Sequence, residues 1–275
     1  MKTKADFFVG RRVLITGASS GIGAALAEAL GARGAQLVLV ARRLALLETL
    51  SEKVVAHGGL SPVLISSDLG VSGHAAIVAQ QAIERLGGID ILVNNAGTSI
   101  VGAQHIVGDG EIARSLFETN LWSPLALIAA LTPQMRENGY GSIVNVTSTL
   151  QAVPMALIGY YSASKTAFAR ATQVMRHELA DAGLHVMEVV PGGTDTPTRH
   201  NDRFLPVRKG TLPNPPLVSP ASTAQAILRG LERRSDRVVH PASSLLPLEV
   251  PWVGRLIGKI AALKIDAGSE VVVVP

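Results

Sequence analysis

The chain has 275 residues, 47% hydrophobic and 17% charged, with a net charge of +4 and no cysteine. That length holds one large α/β domain or two small ones, the composition excludes extensive disorder, and the missing cysteine excludes disulfides and thiolate chemistry. The cations are interspersed apart from short pairs such as Arg42-Arg43 and Arg233-Arg234, without a basic stripe carrying aromatics, so nucleic acid is not an expected partner. The first residues, "MKTKADFFVG", lack an apolar run of signal length, which fits a cytoplasmic protein. "RVLITG" at 12–17 reads as a buried strand, and "IGAALAEALGARG" has helical spacing with a Gly stop. "QLVLVA" is the next strand, "LALLETLSEKVVAHGG" a helix, "SPVLISSD" a strand and "GHAAIVAQQAIERLGG" a helix. "IDILVNNAG" is a strand running into a turn, and a long helical pattern covers 111–137. "GSIVNVTS" is a strand, 159–182 a helix and "LHVMEVVPGG" a strand. Uninterrupted apolar strands separated by helices predict a parallel sheet covered on both faces, with ligands at its carboxyl end. A Pro-rich region from Thr194 to Pro220 reads as a loop or lid on the substrate side. A final helix follows at about 220–233. An apolar extension at about 241–275 is interrupted by prolines and charges. It is expected to pack on the domain, with oligomer or lipid-surface contact as alternatives.

"TGASSGIG", residues 16–23, lies between a strand and a helix. Gly17 permits a tight turn, Gly21 close approach of a pyrophosphate, and Gly23 close packing of helix on strand. The helix N-terminus offers N–H groups and a positive dipole end to phosphate. A carboxylate at the end of the second strand would take a ribose 2′-hydroxyl. Here Ala41 stands in that place, followed by Arg42 and Arg43. Guanidinium groups beside an acid-free strand end suit a 2′-phosphate, so NADP(H) is expected in preference to NAD(H).

"YYSASK", residues 160–165, holds a further signal. Tyr161 and Lys165 are four apart and share a helix face, whereas Tyr160 aligns with Ser164. Tyr161, with a cation one turn away, is therefore the candidate for chemistry.

In sequence order, these features resemble the classical short-chain dehydrogenase/reductase family. "TGASSGIG" matches its glycine pattern, Asn94-Asn95-Ala96-Gly97 its Asn-Asn-Ala-Gly, and Tyr161 and Lys165 its Tyr-x-x-x-Lys. Ser148, thirteen residues before Tyr161, matches the catalytic serine, and Asn120 the asparagine of the preceding long helix. Pro191-Gly192 and Thr196 match the segment after the sixth strand, and Asp68 the acid that contacts adenine. Ser20 stands where many NADP-dependent members carry a basic residue, and Thr194 where Val or Ile is usual.

The resemblance implies one doubly wound, Rossmann-type α/β domain over 1–275, with about seven parallel strands. It implies hydride transfer between a nicotinamide and a ketone or secondary alcohol. The catalytic residues are then Asn120, Ser148, Tyr161 and Lys165. Tyr161 exchanges the proton, Lys165 supports it and binds the nicotinamide ribose, Ser148 polarises the substrate oxygen, and Asn120 holds a relay water. The dinucleotide contacts Gly17, Ser19, Ser20, Gly21, Ile22, Gly23, Arg42, Arg43, Asp68, Leu69, Asn95, Ala96, Gly97, Tyr161, Lys165, Pro191, Gly192, Thr194 and Thr196. Asn94 is expected to pin strands together. Ser148, Leu150, Met155 and Tyr161 are expected to line the substrate pocket, with Thr149, Val153 and Ile158 beside them, which points to a hydrophobic carbonyl or alcohol. Alternatives are a 3-oxoacyl-carrier-protein reductase, using Arg199, Arg203, Arg208 and Lys209, and a non-catalytic dinucleotide-binding regulator. Neither a metal site nor a transmembrane span is expected. A homodimer or homotetramer follows from the family.

Overall fold

The apolar strands have no polar face, so both sides must be covered, and the fold is built around that need. The computed structural model describes residues 6–197, 205–208, 217–266 and 268. One sheet contains β1 (Arg12–Thr16), β2 (Gln36–Ala41), β3 (Val63–Ser66), β4 (Ile91–Asn94), β5 (Ser142–Val146), β6 (His185–Pro191) and β7 (Arg237–His240). Its order is β3-β2-β1-β4-β5-β6-β7, and every adjacent pair is parallel. This is the doubly wound Rossmann-type sheet expected from the alternation of elements.

The connecting helices are α1 (Gly21–Gly31), α2 (Leu44–Ala56), α3 (His74–Leu86), α4 (Gln104–Val107), α5 (Glu111–Phe117), α6 (Ser123–Glu137), α7 (Gly159–Glu178) and α8 (Pro220–Glu232). Two more, α9 (Leu245–Glu249) and α10 (Pro251–Lys264), follow β7. Side chains alternate across each strand. Val13, Ile15, Leu37 and Leu39 therefore join a core with α1, α2 and α8, through residues such as Leu26, Leu47 and Ile227. Leu14, Val38 and Val40 join the opposite core, with Val78 of α3 and Leu131 of α6.

β1 pairs with β2 on one side and β4 on the other, so chain order reverses there and a crevice opens at the strands' carboxyl ends. Four departures from the sequence expectation follow. The pattern over 111–137 is broken by a π-helical turn, Glu118–Trp122, which carries Asn120. The seventh strand is "RVVH", four half-buried residues on the sheet edge. Residues 245–249 and 251–264 of the extension after it are helical, and α7 ends at Glu178, earlier than the spacing predicts.

Candidate active site

The glycine turn is clamped by the segment after β4. Thr16 Oγ1 accepts from the N–H groups of Asn95 and Ala96, both at 3.0 Å. Asn95 Nδ2 donates to the carbonyls of Thr16 and Gly17, at 2.9 and 3.2 Å. This close approach leaves no room for side chains. A Cβ on Gly17, where φ is +65°, would lie 2.8 Å from Ala96 Cα; one on Gly23 would lie 2.5 Å from Gly17 O. The Ser20 side chain does not cap α1, so the first turn keeps N–H groups for an anion.

Beyond β2 and β3 lies a cavity of about 390 Å³ lined by Arg42, Ser66, Ser67, Asp68, His74 and Ile77. Arg43 turns the other way. Its Nη2 donates to Ser19 Oγ and Ser20 Oγ, at 3.0 and 3.2 Å, across the glycine turn. Asp68 Oδ1 accepts from Gly70 N at 2.9 Å, and Leu69 is buried. Two cations thus flank the acid-free end of β2.

Lys165, Asn120 and Ser148 gather beyond the ends of β4 and β5. Lys165 is 3% exposed and donates from Nζ to Val146 O at 2.9 Å. Burial lowers its pKa to about 8, so the ammonium persists at neutral pH. Nζ lies 5.9 Å from the Tyr161 ring centroid. Asn120 is fully buried. Its Oδ1 accepts from Thr98 N at 2.9 Å, and its Nδ2 donates to Thr98 O and Ser164 Oγ, at 2.9 and 3.0 Å. The Asn120 side chain therefore pins the segment after Gly97 onto α7. A Cβ on Gly97 would sit 3.4 Å from Lys165 Nζ and 3.5 Å from Asn120 Oδ1, so one small space borders both polar atoms. Ser148 Oγ accepts from Leu150 N at 3.2 Å, and an accepting hydroxyl still has a hydrogen to donate. The cluster offers a hydroxyl donor, a phenol and a buried cation on converging elements, which is the equipment for proton transfer at a polarised oxygen.

The sequence pattern of short chain dehydrogenases matches residues 11–204. The chain belongs to this family. It is an NAD(P)-dependent oxidoreductase of the ketone–alcohol type. Among its relatives, a ketoacyl reductase of Nostoc sp. is 34% identical over 90% of this dehydrogenase and 85% of its own length. The short-chain dehydrogenase of Sphingobium yanoikuyae in complex with NADPH superposes with a TM-score of 0.77 at 30% identity, covering 92% of this chain and 94% of that one. The bulky-bulky ketone specific alcohol dehydrogenase of Comamonas testosteroni gives 0.73 at 30% identity, over 89% and 92%.

The dehydrogenase places its other expected residues as follows. Thr196 lies over Gly21, whose Cβ would be 2.9 Å from Thr196 Cγ2. Pro191 ends β6, and Gly192 N donates to His240 O at 2.8 Å. Thr194 is buried and bridges to Val218. Ile22 is buried against the core. Asn94 Nδ2 donates to Asn145 Oδ1 at 3.0 Å, joining β4 to β5. Val153 and Ile158 are buried, whereas Leu150 is half-buried. Met155 lines a groove of about 710 Å³ with Ser162, Ala163 and Thr166, on the face of α7 turned away from Tyr161 and Lys165. It also packs toward Val101, Leu157 and Ile265. Tyr160 hydrogen-bonds through its hydroxyl to the carbonyls of Gln104 and Gly108 and so tethers α4. Arg199, Arg203 and Lys209 lie outside the described residues, as does most of the expected loop.

Sequence reasoning passed over Glu188. It is 1% exposed on β6 and accepts from Thr147 Oγ1 and Gln151 Nε2, at 2.9 and 3.0 Å. Arg237 pairs with it at 3.4 Å and also pairs with Glu249. The carboxylate thus holds both flanks of Ser148. An acid inside the apolar run "VMEVV" was the available signal, because a buried charge needs partners.

Proposed function

We propose that this dehydrogenase reduces hydrophobic ketones, or oxidises the matching secondary alcohols, with NADP(H) in preference to NAD(H). The observation that carries this reading is the buried Lys165 ammonium beside the Tyr161 ring. The dinucleotide fits the crevice: Gly17, Ser19, Ser20, Gly21, Ile22 and Gly23 form the phosphate cradle. Asp68 and Leu69 border the adenine side, and Asn95, Ala96, Gly97, Pro191, Gly192, Thr194 and Thr196 the nicotinamide side. When bound, the nicotinamide supplies or accepts the hydride.

The chain's own residues handle the oxygen and its proton. Ser148 donates to the substrate oxygen with the hydrogen left after its hydroxyl accepts from Leu150. Tyr161 gives its proton to the same oxygen in reduction and takes it back in oxidation. A free phenol titrates near ~10, and the neighbouring cation stabilises the phenolate, which brings the exchange toward neutral pH. One Lys165 hydrogen is committed to Val146 O, and two remain for ribose hydroxyls. The space beside Gly97, bordered by Lys165 Nζ and Asn120 Oδ1, suits a water that returns protons to Lys165.

Arg42 at the mouth of the cavity and Arg43 across the turn support the NADP(H) preference, and the solved NADPH complex of the Sphingobium relative is consistent with it. Leu150, half-buried two residues after Ser148, supports a hydrophobic substrate. Residues 194–220 act as the substrate loop of a single catalytic domain: Thr194 bridges to Val218 and Val207 to Ile265. The active form is a homodimer or homotetramer. The test is a fluorescence titration with NADPH and NADH, followed by bulky ketones and 3-oxoacyl thioesters. NADPH should bind about tenfold tighter or more, a difference of at least ~1.4 kcal/mol, with turnover of bulky ketones. Tighter NADH binding would overturn the cofactor reading. Turnover confined to 3-oxoacyl thioesters would replace the substrate reading with that of the Nostoc relative.

A further inference from the structure

α10 has two contrasting faces. Gly254 and Gly258 are buried, and a Cβ on either would collide with Ala152 O or Pro154 O, so this side sits directly on the segment that follows Ser148. At 100° per residue, Trp252, Leu256, Ile260 and Leu263 lie on the opposite side. They are 60%, 47%, 48% and 71% exposed. Leu245 and Leu246 of α9 are exposed as well. The ridge is bordered by Arg255 and Lys259 on one side and Lys264 on the other, and no acid occurs between Val250 and Ile265.

We propose that α10 docks the protein onto an anionic lipid surface. The helix lies in the plane of the interface, with its ridge at the acyl boundary and its cations among the headgroups. Charge selects this occupant over a second copy. Two such ridges facing each other would bring Arg255 and Lys259 of both copies together with no acid on the helix to compensate, whereas an anionic headgroup layer complements these two cations. Geometry excludes a span. Fourteen residues reach ~21 Å against a hydrocarbon core of ~30 Å, and among the described residues no helix is long and apolar enough to cross a membrane. The docking does not depend on the hydride-transfer reading. If that reading also holds, an apolar ketone dissolved in the lipid reaches the site from the same side, because α10 rests on residues 152–154.

The test is flotation of the full-length protein with vesicles of phosphatidylcholine alone or mixed with phosphatidylglycerol. Wild type is compared with the double variants Leu256→Gln/Leu263→Gln and Arg255→Gln/Lys259→Gln, all at exposed positions. Thermal midpoints and NADPH binding check that each variant is folded, and sedimentation velocity reports self-association. Wild type should float with the mixed vesicles only, and each double variant should bind at least about tenfold more weakly. Failure of wild type to float, or flotation unaffected by the Leu pair, would overturn the proposal. A concentration-dependent dimer abolished by the Leu pair, without vesicle binding, would assign the ridge to a second copy.

Discussion

Replacing Lys165 with Met should stabilise the cofactor-free protein while removing turnover. Burial lowers the Lys165 pKa from 10.5 to about 8. At ~1.36 kcal/mol per pH unit, holding the ammonium charged at pH 7 costs about 3 kcal/mol. The substitution also leaves Val146 O without its donor, which returns about 1–2 kcal/mol. The net expectation is a gain of about 1–2 kcal/mol at pH 7. Below pH 8 both folded and unfolded chains hold the proton, and the penalty is fully present. Between about pH 8 and 10.5 the unfolded chain keeps a proton that the folded chain has released, so wild-type stability rises with pH. The advantage of the Met variant should therefore shrink through this window and reverse near its upper end. Urea melts of both proteins from neutral to alkaline pH read this directly. A Met variant less stable than wild type at pH 7, with a difference that does not change with pH, would refute the desolvated ammonium.

Gly23→Ala places a methyl group against Gly17 O and Asn95 Nδ2. It should cost about 1–3 kcal/mol in urea melts and weaken NADPH binding together with stability. Glu188→Ala removes the acceptor of Thr147, Gln151 and Arg237 and should cost about 2–3 kcal/mol; Glu188→Gln, which keeps an acceptor, should recover part of the stability and of kcat. Burial lowers the His185 pKa below its ordinary 6.5. Below about that pH the unfolded chain takes up a proton that the folded chain resists, so stability should fall with acidification, and less steeply in His185→Gln. Arg42→Ala should weaken NADPH binding while leaving NADH binding nearly unchanged, as paired titrations would report.

Six strands and the glycine turn were legible because their signals are local: apolar runs, and glycines in strand–turn–helix context. The Tyr161–Lys165 pair was legible for the same reason, since four-residue spacing fixes a shared helix face. β7 was not, because four half-buried residues on an edge carry neither an apolar run nor strict alternation. The π-helical turn around Asn120 has no compositional mark and depends on packing between α5, α6 and α7. Glu188 finds Thr147, Gln151 and Arg237 far away in sequence, so its partners appear only once β5, β6 and β7 are aligned. α10 was obscured by Pro247 and Pro251, which read as interruptions; Pro251 in fact occupies its first turn, where a missing N–H costs nothing.

Turnover by Tyr161→Phe, beside wild type and with NADPH binding measured on the same samples, tests the central claim most directly. Loss of the hydroxyl should leave binding of the dinucleotide intact and lower ketone reduction on the order of a hundred- to ten-thousandfold. Wild-type turnover in the Phe variant would contradict the assignment of the proton to Tyr161.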